Sequence, residues 1–301
     1  MPMTATTTSS RQFAAVKQQE GIKTVLEKLY HNYNHYELIK PDPLQFVYHY
    51  SKPRDMEIAG LLAAELAYGR VQQIQKSLTD LLRRMGTSPF EFVLNFDKQK
   101  RKKIKNFKHR FTSGDDISDL LELLKKVLKR HGSIEEFFVQ GYNTKDENII
   151  PALSKFCNSL LEMYAKTHGS PASTQLSYLL TRPSAGSPCK RLNLFLRWMV
   201  RNDDVDAGLW KRVDKAKLIV PIDVHMGRLC RILGFHNQKA VSLSTAIKIT
   251  KRFAEIVPAD PVKYDFALSR IGILDNCTGK RRSGCEFCEL FKFCSGKWLG
   301  V

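Results

Sequence analysis

Four of the seven cysteines fall between Cys277 and Cys294, spaced C-x7-C-x2-C-x5-C. Thiols crowded into so short a loop need a common tie, which two disulfides, a zinc ion or an iron–sulfur cluster could supply. The N-terminal stretch MPMTATTTSSRQF has no apolar core of a secretory signal. It is rich in Ser and Thr with no acid before Glu20, a composition that a transit peptide shares, and it reads first as a disordered tail. An intracellular, reducing compartment is therefore expected: cytoplasm or nucleoid in a prokaryote, nucleus or organelle in a eukaryote. Such a compartment disfavours disulfides, and so does an odd cysteine count. Metal or cluster remains.

The charge balance points to the partner. Lys and Arg number 48 against 30 Asp and Glu, a formal charge of +18. That excess favours a polyanion, nucleic acid before membrane surface. The cations also cluster. Lys98, Lys100, Arg101, Lys102, Lys103, Lys105, Lys108 and Arg110 form one run, with Phe107 and His109 among them. Lys280, Arg281 and Arg282 form a second group inside the cysteine loop. No apolar run reaches the ~18 residues of a membrane span, and 301 residues suffice to bury a sizeable core.

Apolar spacing predicts helices almost throughout. They cover Ile22 to Tyr33, a short helix beginning at PLQFVYHYS, Met56 to Tyr68, Val71 to Met85, Ile117 to Arg130, a segment opened by Ser133 with Glu136, and Asn148 to Lys166. Further helices follow at Gln175 to Leu180, Lys190 to Val200, the segment after Asp223 to Leu233, Ser244 to Ile256 and Val262 to Leu274. No alternating strand pattern or repeat stands out. The fold class is all-α.

The order of motifs carries a resemblance. Gly186-Ser187-Pro188-Cys189-Lys190-Arg191-Leu192-Asn193 lies without a gap on the hairpin G-V-G-x-K-T-A-N, and Ile222-Asp223-Val224-His225 on V-D-T-H. The cysteine loop differs by one residue from C-x6-C-x2-C-x5-C. Together these resemble the helix-hairpin-helix (HhH-GPD) DNA glycosylase superfamily, in particular its endonuclease III branch. The resemblance implies a two-lobed helical fold with a [4Fe–4S] cluster on Cys277, Cys285, Cys288 and Cys294. Zinc is the alternative, although zinc loops more often carry two C-x2-C pairs.

By the same resemblance Lys190 and Asp223 are the catalytic residues. The carboxylate would stabilise positive charge on the sugar as the base leaves. The amine would attack C1′, which requires its neutral form; a helix start, a dry pocket and neighbouring cations favour that form. Read from the residues alone, Asp223 is an N-cap and Lys190 a first-turn lysine. Gly186, Ser187, Arg191, Lys280, Arg281, Arg282 and Tyr68 are expected to contact DNA. Three departures accompany the likeness. Pro188 stands at a hairpin glycine and has no N–H to offer a phosphate. Glu65 stands where the family has a glutamine that enters the DNA stack, so Tyr68 is the candidate wedge instead. Lys190 and Asp223 are 33 positions apart, farther than in the family, which implies an insertion around Arg201–Lys217.

The expected organisation is a disordered tail (1–18), early helices packing with the C-terminal lobe (19–55), a helical barrel domain ending in the Lys190 helix (56–200), and a C-terminal lobe (201–301) with the cluster loop (277–294). The implied function is base excision from double-stranded DNA by a monomer, a glycosylase with AP-lyase activity. Two other readings stay open: a non-catalytic DNA- or RNA-binding protein that keeps the fold and cluster, and a zinc-stabilised RNA-binding protein. Cys157, Cys189 and Cys230 read as small buried side chains.

Overall fold

In the computed structural model, backbone is described for residues 6–273 and 277–294, and side chains for 20–272 and 277–294. The described residues are mostly helical, as the periodicity predicts. Helix α1 (Thr6–Tyr33) leads through short 3-10 turns, among them Pro43–His49, to α2 (Pro53–Glu65) and α3 (Val71–Met85). After α4 (Pro89–Leu94) and α5 (Lys98–Ile104), a small hairpin pairs β1 (Lys108–His109) with β2 (Thr112–Ser113). Helices α6 (Gly114–His131), α7 (Ile134–Phe138), α8 (Ile150–His168) and α9 (Thr174–Leu179) follow. The chain then forms α10 (Lys190–Val200), α11 (Val224–Ile232), α12 (Leu243–Ala254), α13 (Asp265–Ile273) and the single turn α14 (Phe291–Cys294). Among the described residues, no helix is long and apolar enough to cross a membrane.

Local chemistry sets these elements. In α3, Ile74, Leu78, Leu81, Leu82 and Met85 are buried, a single stripe at the spacing of an amphipathic helix. Helix α6 starts earlier than its apolar period suggests. Ser113 accepts from the Asp116 N–H while Asp116 accepts back from the Ser113 N–H, a reciprocal cap that draws Gly114 into the first turn. Helix α1 runs back to Thr6 across most of the stretch expected to be a disordered tail. No proline and no glycine interrupts it before Gly21, so a helix nucleated downstream can propagate.

Helices α2 and α10 form the centre. Residues Ile58 to Ala67 of α2 and its exit are all buried, and α10 faces them with Phe195 and Met199. Gly60 permits the approach: a Cβ there would lie 2.9 Å from Met199 Cε and 3.6 Å from Phe195. The segment 19–55 divides its contacts, with α1 packing on α13 and the Pro43–His49 turn packing on α2. Glu27 of α1 accepts from Lys263 Nζ at 2.7 Å and from Tyr264 Oη at 2.6 Å, just ahead of α13.

The segment Arg201–Lys217 is folded into the body of the protein. Val205, Trp210 and Val213 are buried. Buried Arg201 donates to Asp260 at 3.0 Å and pairs with Asp203 and Asp206. Trp210 Nε1 donates to Glu57 Oε1 at 2.8 Å, linking the segment to α2.

Candidate functional site

Lys190 and Asp223, far apart in sequence, meet in space. Nζ of Lys190 lies 3.1 Å from Oδ2 of Asp223, with the two side chains 31% and 37% exposed. Lys190 is the first residue of α10, and Cys189 before it holds a left-handed conformation at φ 46°. Asp223 is the N-cap of α11. Its Oδ1 accepts from the N–H groups of His225 and Met226, both at 2.9 Å, which leaves Oδ2 for the lysine. Capping and ion pairing thus occupy different oxygens of one carboxylate. Burial pushes the Asp223 carboxyl up, but the Lys190 charge and the Met226 N–H outweigh it and hold the group below the ordinary range.

The pair borders a cavity of about 680 Å³, walled also by Glu65, Tyr68, Tyr178, Pro188 and His225. That size suits a ligand as large as a nucleoside. The hairpin-like turn before α10 is braced from inside. Ser187 Oγ accepts from the Cys189 N–H at 3.2 Å, and buried Asn193 donates to the Pro188 carbonyl at 3.0 Å. Gly186 is exposed in the left-handed region at φ 80°. Pro188 has no N–H, yet its carbonyl helps fix the turn.

Two expectations need correction here. Arg191, expected to face DNA, points inward. Its guanidinium donates to the Glu65 carbonyl at 3.0 Å, to Thr181 Oγ1 at 3.2 Å and to the Tyr178 carbonyl, and it lies 4.0 Å from the Tyr178 ring centre. Inward acceptors at the end of α2 and in the turn after α9 claim it. Glu65, at the position of the family's glutamine, is wholly buried. It sits 3.4 Å from Arg191 Nη1, and neither carboxyl oxygen takes a hydrogen bond. Burial pushes its pKa up, against the pull of Arg191, to about 7. Tyr68 is half-buried and is not a free wedge: its hydroxyl donates to the His109 carbonyl at 3.0 Å and meets Thr112 Oγ1 at 2.7 Å.

Deeper in the wall, Arg197 pairs with Asp206 at 3.2 Å and with Asp265. Burial pushes the Asp265 carboxyl up to about 6 despite Arg197. Cys157, Cys189 and Cys230 are buried free thiols, and burial pushes all three up in pKa.

The cysteine loop lies beside α11, where Arg228 Nη1 donates to the Cys277 carbonyl at 3.2 Å. Cys277, Cys285 and Cys288 are half-buried and Cys294 is buried, and cysteine sulfur is a common ligand of metals and iron–sulfur clusters. The donor chemistry therefore suits a metal or cluster. Among the described residues, however, no three His, Cys, Asp or Glu side chains gather closely enough to hold one. Lys280, Arg281 and Arg282 are exposed.

Phe111 and Tyr178, which sequence reasoning passed over, stand next to Tyr68. Phe111 stacks on the Tyr68 ring at 5.1 Å, and Tyr178 meets both rings edge-on. The visible signal was Phe111 following the basic run directly.

Fold and site define the class as an all-α protein with a lysine–aspartate pair at the rim of a cavity. Residues 42–274 match the family described as "Protein of unknown function (DUF2400)", and the chain belongs to that family. The matched span holds Lys190, Asp223 and the cavity lining except Pro41, and ends before Cys277. No curated protein and no solved structure matches.

Proposed function

We propose that this protein is a DNA glycosylase with AP-lyase activity on a helix-hairpin-helix glycosylase-like fold, built around Lys190 and Asp223. One observation carries the reading: Lys190 Nζ and Asp223 Oδ2 lie 3.1 Å apart at the rim of a cavity of about 680 Å³. A base turned out of the stack would enter that cavity. As the glycosidic bond breaks, the base leaves with the bonding electrons and takes up a proton, and positive charge grows on the sugar. Asp223 is held ionised and faces that charge. Lys190 Nζ, once deprotonated, bonds to C1′; opening of the sugar ring gives the iminium, and loss of a C2′ proton expels the 3′ phosphate. The charge of +18 and exposed Lys280, Arg281 and Arg282 supply attraction to the duplex.

Cys277, Cys285, Cys288 and Cys294 would hold a [4Fe–4S] cluster in a structural role, a reading that rests on their spacing in the sequence. No step of the reaction passes through it.

Borohydride trapping on a panel of damaged and abasic oligonucleotides is the test, with iron and sulfide measured on anaerobically purified protein. The wild type forms a covalent complex and Lys190→Gln does not. Base release without trapping assigns Asp223 to activation of water. Neither product, with binding retained, leaves a nucleic-acid-binding protein on this fold. Zinc without sulfide replaces the cluster with a zinc site.

A further inference from the structure

The hairpin at Lys108–Ser113 carries an exposed aromatic ring on a rigid, basic mount. Phe111 is 46% exposed. A single exposed apolar side chain is ordinary on a protein surface, so exposure alone means little. Its setting is what matters. One face of the ring is stacked on Tyr68, with centroids 5.1 Å apart and planes 26° from parallel. Tyr68 and Tyr178 both line the cavity that Lys190 and Asp223 border. The aromatic group thus runs from the cavity wall outward and ends on Phe111.

The mount is fixed from below. His109 is buried, with its ring nitrogens 2.9 Å from Ser77 Oγ and 3.0 Å from the Tyr68 carbonyl. The Tyr68 hydroxyl reaches both strands, at the His109 carbonyl and at Thr112 Oγ1. Arg110 at the tip holds a left-handed conformation at φ 54°, unusual for a residue with a side chain. Its side chain lies across Gly69, where a Cβ would come within 2.8 Å of Arg110 Cδ. The guanidinium stands 5.9 Å from the Tyr68 ring centre and 6.0 Å from that of Phe111. A strained tip held this firmly keeps Phe111 in one orientation before any ligand arrives.

The surrounding charge selects the ligand. From Lys98 to Gly114 the chain has no acidic residue. Lys102, Lys103, Lys105, Lys108 and Arg110 are all exposed. The acids of the next helix are turned elsewhere: Asp115, Asp119 and Glu122 lie around Arg101. An exposed flat ring among unopposed cations suits a chain of stacked heterocycles joined by phosphates.

We infer that the Arg110–Phe111 tip is a base-stacking site, where Phe111 takes the face of a DNA base next to the nucleotide in the cavity and Arg110 meets a neighbouring phosphate. This rests on the nucleic-acid part of the proposed function and is independent of its chemistry. Phe111 then occupies the place beside the cavity that Tyr68, clamped under it, cannot fill.

The full-length protein is titrated by fluorescence anisotropy against a duplex with a tetrahydrofuran abasic analogue and 2-aminopurine as the adjacent base. Wild type, Phe111→Ala, Phe111→Trp and Arg110→Gln are compared across a salt series. Phe111→Ala should weaken binding about ten-fold or more with an unchanged salt slope, since it removes stacking and no phosphate contact. It should also abolish the change in 2-aminopurine emission, and Phe111→Trp should preserve both signals. Arg110→Gln should lower the salt slope by about one. Equal affinity and equal emission for Phe111→Ala overturn the inference. So does a wild type that binds single-stranded RNA in preference to the duplex, or binds neither. Trapping on Lys190 is run in parallel to separate the two proposals. A Phe111 effect without trapping removes the lyase and keeps the stacking site; trapping without a Phe111 effect does the reverse.

Discussion

Glu65 gives a quantitative test of the site's electrostatics. It ends α2 with its side chain wholly buried, 3.4 Å from Arg191 Nη1, and neither oxygen accepts a hydrogen bond. Burial pushes its pKa up from an ordinary 4.5 to about 7, with Arg191 pulling the other way. Between those two pH values the folded protein keeps a proton that the unfolded chain has lost. Stability linked to Glu65 is therefore full below about pH 4.5, falls as pH rises towards about 7, and levels off above it. At about 1.4 kcal/mol per pH unit, that interval amounts to about 3 kcal/mol. Glu65→Gln keeps the shape and removes the titration. Arg191 is not orphaned by the change, because the Glu65, Tyr178 and Thr181 oxygens still accept from it. Melting temperatures of both proteins from pH 5 to 8 should nearly coincide at the acid end. At pH 8 the variant should melt about 5 °C higher, the shift that about 3 kcal/mol gives a chain of this size. Parallel curves, or a variant less stable at pH 8, would mean that the Glu65–Arg191 pair is net stabilising and that the reasoning from burial is wrong.

The other predictions concern the two roles of Asp223 and the packing of Arg201. Asp223→Asn keeps an N-cap acceptor but loses the charge facing Lys190, so base release should vanish while the melting temperature barely moves. Asp223→Ala should lose activity and also about 1 kcal/mol of stability, read by urea unfolding; equal stability of the two variants would refute the capping role. Arg201→Met leaves Asp260 buried without its guanidinium partner, and urea unfolding should report a loss of about 3–5 kcal/mol.

Much of the site was readable where a local rule acts alone. Helices Lys190–Val200 and Val71–Met85 follow their apolar stripes to the residue, and Asp223 caps α11 as its position suggests. The unbroken apolar run Met56 to Tyr68 predicts a helix that starts and ends three residues later than the one that forms. Helix α2 stops at Glu65 and the chain turns through Leu66 and Gly69, since continuous apolarity marks burial and does not distinguish helix from buried turn. Helices α4 and α5 were hidden by their length, although Ser88 before Pro89 and Asp97 before the basic run are ordinary caps. Arg191 could not be placed from sequence. Its inward course depends on acceptors at Glu65, Tyr178 and Thr181 that only the tertiary fold assembles around it. The same holds for Phe111, whose meaning comes from Tyr68, 43 positions earlier.

The long connection between Lys190 and Asp223 raises a physical question: how does a pair separated by 33 positions keep a 3.1 Å contact? Closing a longer loop costs little extra entropy, but a loose loop would let the two helix starts drift. The chain prevents this by turning back at once on the end of α10. The N–H groups of Ala207 and Gly208 bond to the Trp198 carbonyl, and that of Trp210 to the Met199 carbonyl at 2.7 Å. Arg201, with Asp206 and Asp260, closes the turn from within. Trp210 ties the segment to Glu57 on α2, the helix that packs on α10. The returning strand of chain, Leu218 to Ile222, is buried up to the residue before Asp223. The segment Arg201–Lys217 thus acts as a strut between the two helices, and the Lys190–Asp223 distance depends on that packing and not on the number of residues in between.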